Sequence, residues 1–151
     1  MTGDLLARCA TVAFAGTSLL LTGLAWVVQV VVYPAFALVG PGPGWRGYHE
    51  AHGRRMALAV TVPWALEGLA AAVLLVDRPA GSPLALVLAG DACAAVTVAV
   101  TLAAALPAHA RLARGWDPAV LQGLLRPTPS GWPPGPERPA AGWRSSYGRR
   151  R

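Results

Sequence analysis

Three histidines and a handful of isolated polar side chains are the groups here that could do chemistry. His49 and His52 stand three apart in "GYHEAHGRR", beside Glu50 and two arginines, and His109 follows in "LPAHARLARG". Residues three apart share a helix face, and three imidazoles with an open position suit zinc, copper or iron. A transition metal on His49, His52 and His109 is therefore one reading. The other is three imidazoles at a membrane surface that hydrogen-bond and hold no ion. "HEAH" is one residue short of the His-Glu-x-x-His signature, which excludes a zincin-type protease. Gln29, Tyr33 and Glu67 complete the candidate set, as polar groups inside apolar sequence.

The elements that position them are apolar and long. Of the 151 residues, 54% are hydrophobic and 13% charged, about half the charged share of an average soluble domain. No Asp, Glu, Lys or Arg occurs from Cys9 to Trp45, Met56 to Val76 holds only Glu67, and Pro79 to Ala110 holds only Asp91. Each run exceeds the roughly 20 residues that cross the hydrocarbon layer as a helix. The fold class is thus all-α, a polytopic transmembrane bundle with helices near residues 9–39, 52–76 and 83–108. The first run is about twice the length of a signal-peptide apolar region, so a retained helix is expected. Cys9 and Cys93 are too few for a disulfide framework; they read as small buried apolar residues, with a single bridge between the outer ends of their helices as the alternative.

All thirteen basic residues are arginines. Three crossings put Arg8 and Arg78 on one side and the other eleven on the opposite side, so the positive-inside rule sets the N-terminus outside and the C-terminus in the cytoplasm of an inner membrane. Anionic lipids of the inner leaflet are partner enough for these charges, and nucleic acid is not needed. Beyond the third run, "GWDPAVLQGLL" offers Asp117 as N-cap, Pro118 at the first helical position and Val120, Leu121, Leu124 and Leu125 on one face. This predicts a short interfacial helix anchored by Trp116. Residues 126–151 carry six prolines and four glycines, predicting a disordered cytoplasmic tail after the bundle of residues 1–125.

Counting helical rise places Gln29 and Glu67 near the bilayer midplane, where Gln29 is the expected partner of Glu67. Glu67 then serves either as a proton relay or polar substrate contact, or as an interhelical hydrogen bond that fixes packing. Pro34 and Pro63 are expected to kink their helices beside this spot. Small-residue pairs, Gly68 with Ala72 and Gly90 with Ala94, allow close helix approach, within one bundle or with a partner helix or second copy.

The blocks "WVVQVVVYPAFALVG", "GYHEAHGRR", "PWALE" and "LPAHARLARGWD" resemble a family of small, largely uncharacterised bacterial four-helix membrane proteins, and more distantly the anthrone-oxygenase-like membrane proteins. The resemblance covers roughly residues 15–125, and the matching polar positions are Gln29, Tyr33, His49, His52, Glu67 and His109. It implies a fourth apolar helix where this chain has its Pro/Arg-rich segment. No nucleotide loop, redox cysteine pair or Ser/His/Asp set is present, which argues against ATP-driven transport and hydrolysis. Two functions remain in view. One is an accessory or small-molecule-handling membrane component. The other is a metal-dependent oxidoreductase acting on a lipid-soluble aromatic or quinone-like substrate.

Overall fold

The computed structural model describes residues 2–125, all helix and connecting turns with no strand among them; the tail expected at 126–151 lies outside these residues. Helices α1 (Thr2–Val27) and α2 (Tyr33–Val39) form one rod through a π-helical turn at Val28–Val32. A second rod, α3, runs from Trp45 to Val76. The third joins α4 (Leu84–Val100) to α5 (Leu106–Arg114) through another π-helical turn, Thr101–Ala105, and α6 (Pro118–Leu125) closes the described chain. Three segments, Asp4–Val39, Trp45–Val76 and Leu84–Arg114, are long and apolar enough to cross a membrane. The second begins seven residues before the expected position 52, and the third runs past 108.

Proline explains where the π turns fall. Its ring clashes with the carbonyl four residues back. Ahead of Pro34, Tyr33 N–H reaches instead to Val28 O, five residues back; ahead of Pro107, Leu106 N–H likewise reaches Thr101 O. One extra residue per turn relieves the clash without ending the rod. At Pro34, where a kink is expected, the rod carries a widened turn. Pro63 lies inside α3, which continues through it.

Two small cores hold the rods together. Near the chain's beginning, Ala10, Ala70 and Leu74 are buried among Ala13, Phe14, Val73 and Val87. A Cβ added to Gly90 would sit 3.1 Å from Phe14 Cε1, so glycine is what lets α4 approach α1 there. At the opposite end, Tyr33, Phe36, Trp45, Leu112 and Leu121 form an aromatic-rich core. Trp45 Nε1–H donates to Leu112 O at 2.9 Å, satisfying one of the last carbonyls of α5. Gly40, at φ 64°, stops α2 in a conformation open to glycine and turns the chain toward α3.

As expected, Asp117 caps α6: its Oδ1 accepts from Ala119 N at 2.9 Å and Val120 N at 3.2 Å. The apolar face of α6 does not turn outward to an interface, however. Leu121 is buried in the core, with Val120, Leu124 and Leu125 packed against it, and Trp116 meets Trp45 edge-on at 4.8 Å. With α2 and α5 alongside, protein covers the face that a lone amphipathic helix would give to lipid.

Candidate functional site

The aromatic-rich core carries the three histidines. Because α3 starts at Trp45, His49 and His52 lie one turn apart inside it, and α5 brings His109 to the same level. Their ring centroids are 5.4 Å (His49 to His109), 6.0 Å (His52 to His109) and 6.5 Å (His49 to His52) apart. Phe36, fully buried, touches all three edge-on, at 5.8, 5.0 and 6.2 Å from His49, His52 and His109. Sequence reasoning overlooked this phenylalanine. Its signal was an aromatic residue two places after a rod-interrupting proline.

The histidines belong to a hydrogen-bonded chain. Tyr33 Oη lies 3.3 Å from His109 Nε2, and His109 Nδ1 lies 3.2 Å from His49 Nε2. Each neutral imidazole has one N–H and one bare nitrogen, so the chain has two complementary arrangements. In one, Tyr33 O–H donates to His109, whose Nδ1–H donates to His49. In the other, His49 Nε2–H donates to His109, whose Nε2–H donates to Tyr33. His52 joins by ring stacking on His109 at an interplanar angle of 27°.

Bonding to one ion asks more than proximity, because each nitrogen must sit about 2.0–2.1 Å from zinc. The 3.2 Å between His49 Nε2 and His109 Nδ1 suits two ligands of one ion. Among the described residues, though, no three His, Cys, Asp or Glu side chains have the arrangement of a metal site. Phe36 covers one face of the triangle of rings, 5.0 to 6.2 Å from each.

Tyr33 also faces a groove of about 700 Å³ beside the cluster. Both π turns wall it, through Gln29 on one side and Ala103, Ala104 and Ala105 on the other, with α6 closing it through Val120, Gly123 and Leu124. Gln29 Nε2–H donates to Leu124 O at 3.1 Å. Arg111 lines the same groove. Five of the six candidate residues thus gather around one end of the bundle: Gln29, Tyr33, His49, His52 and His109.

Glu67 stands apart, and its expected pairing with Gln29 is corrected. The donor to Glu67 Oε1 is Ser18 Oγ, at 2.6 Å. Counted from the turn that joins their rods, Ser18 is 21 residues back from Val39 (39 − 18) and Glu67 is 22 forward from Trp45 (67 − 45), so they lie level. Gln29 sits only 10 residues from Val39 (39 − 29); the expected match in depth counted Gln29 from the inner end of its helix and Glu67 from the outer end of its own.

Compared with known proteins, the chain matches no family model, no curated protein and no solved structure.

Proposed function

We propose that the chain is a multi-pass protein of the bacterial inner membrane, N-terminus outside, that handles a small lipid-soluble molecule in the groove beside Tyr33. Its apolar surface supports insertion: Leu19, Trp26, Leu58 and Leu86 are 74%, 71%, 78% and 69% exposed, far from the economy of a water-facing surface. Arginine asymmetry supports the orientation.

One observation carries the functional reading. Tyr33 lines the groove and is also the first member of the chain to His109 and His49. A ligand with a hydrogen-bonding head, quinone-like or phenolic, would meet the phenol and the Gln29 amide at that wall, its apolar body lying between the π turns. A proton delivered to Tyr33 by the head group would let Tyr33 pass its own to His109 Nε2, and His109 pass the Nδ1 proton to His49. Protonation returns along the same atoms in reverse. The structural element favouring such a role is the pair of π turns, a feature often found at functional sites.

The test is binding of menadione to the detergent-purified chain, followed by tryptophan quenching. Saturable binding that weakens about tenfold in Tyr33→Phe and Gln29→Leu supports the reading, as expected for removal of one or two buried hydrogen bonds. Equal affinity in all three proteins rejects it.

A second reading, a transition-metal oxidoreductase, is favoured by the His49–His109 nitrogen spacing. Here His49 and His109 would hold copper, iron or zinc, and His52 would have to turn its ring toward them to join. Elemental analysis of protein purified without chelators decides it. Stoichiometric metal lost in His109→Ala supports this reading, and absence of metal from wild type removes it.

A further inference from the structure

A second groove, about 430 Å³, runs between α3 and α4 and shares no lining residue with the one beside Tyr33. Small residues hollow it: Gly68, Ala95 and Ala99 line it, and a Cβ added to Gly68 meets nothing within 4 Å. Trp64 forms part of the wall. Two acids line this apolar surface, Glu67 from α3 and Asp91 from α4. Glu67 is only 8% exposed and takes the Ser18 hydroxyl on Oε1. Asp91 has no such partner. Both of its carboxyl oxygens are buried and, among the described residues, neither accepts a hydrogen bond.

Buried polar atoms are paired in roughly 90% or more of cases, so Asp91 requires a donor or a counter-charge. The described chain does not bring one. Arg8 is committed to Asp4 at 3.0 Å, and no arginine lines the groove. The threonine hydroxyls of the two rods that wall the groove are spent within their own helices: Thr61 donates to Ala57 O, Thr97 to Cys93 O and Thr101 to Thr97 O.

We propose that the α3/α4 groove binds a lipophilic organic cation, a quaternary ammonium or phosphonium with an apolar body, with Asp91 and Glu67 as its counter-charges and Trp64 as its aromatic wall. Such a cation needs no hydrogen-bond acceptor, gains from the face of an indole, and reaches the site from the hydrocarbon side. The volume is that of a small-molecule site, which runs from about 300 to 1,000 Å³. This site is independent of the Tyr33 groove.

The experiment uses the full chain in detergent micelles with two probes, tetraphenylphosphonium and tetraphenylborate, matched in shape and opposite in charge. Equilibrium dialysis should give saturable binding of the phosphonium alone. Asp91→Asn should weaken it about tenfold or more, as loss of a buried charge partner does. Ala99→Trp, which leaves both acids in place and fills the groove from an exposed position, should weaken it as much. Equal binding of the two probes, uptake that only tracks detergent, or unchanged affinity in both variants while they remain helical and monodisperse would overturn the proposal.

Discussion

The Tyr33 hydroxyl and the two nitrogens of His109 act as a unit, and that can be measured. Tyr33→Phe leaves His109 Nε2 without its neighbour at 3.3 Å, at a cost of about 1–3 kcal/mol for a buried polar atom stranded. A double-mutant cycle with His109→Gln, read by thermal unfolding in detergent, should return a coupling energy of about 0.5–3 kcal/mol. Additive effects would mean the two groups do not share a proton. Glu67 invites a parallel test. Glu67→Gln keeps an acceptor for Ser18 Oγ, now at 2.6 Å, whereas Glu67→Leu leaves that hydroxyl without one. The leucine variant should be less stable by roughly 0.6–1.7 kcal/mol, the range for interhelical hydrogen bonds in membranes. Equal stability of the two would make the contact energetically silent. Much of this was legible in the residues themselves: histidine spacing and the shared end of two rods placed the cluster. Ser18 was not, because one hydroxyl among several in an apolar helix carries no periodic signal, and only the true start of α3 sets its depth.

At the scale of elements, the two π turns make the local geometry. Each lies just ahead of a proline, and each walls the Tyr33 groove. An α-helix through the same residues would advance everything downstream by about 100° for the one residue gained. Replacing Pro34 by alanine removes the clash that favours the wide turn. The Tyr33–His109 coupling should then fall toward zero while helical content by circular dichroism is kept; coupling at its wild-type value would show that the tertiary contacts, not proline, hold the turn open. A tighter constraint operates where α4 crosses α1. Gly90→Ala brings a methyl to about the 3.1 Å contact with Phe14 and should cost about 1–3 kcal/mol as overpacking, recovered when Phe14→Leu is added. The long rods were legible from run length. The start of α3 was not, because Arg46, Arg54 and Arg55 end the apolar run while the helix carries on through them. The π turn at Thr101–Ala105 was equally hidden, since Pro107 looks like a helix terminator near the end of its run.

For the whole molecule, orientation is the first thing to check. A reporter fused after Arg151 should read cytoplasmic, because eleven of thirteen arginines fall on that side of a three-crossing chain. Periplasmic activity would reverse the bundle and place the histidines at its outer face. The described chain is otherwise thinly packed. No residue of α4 is buried by the described residues, so most of its surface is open to contacts beyond them. The sequence foretold α6 but not its place, since an apolar face reads the same whether lipid or protein covers it. That place sets a clock as well as a wall. Eight residues long, α6 closes the Tyr33 groove and is held by the Asp117 cap at one end and by Gln29 at the other. Unlike the other walls of the groove it belongs to none of the three rods, so it can move without bending one, and it would govern how long a guest stays. Weakening the cap with Asp117→Ala costs about 1 kcal/mol; where that cost falls on the closed state, menadione should leave about fivefold faster in stopped-flow, its arrival rate little changed. The groove would then be a compartment with a hinged side, and residence time would be set by the aspartate that caps that side.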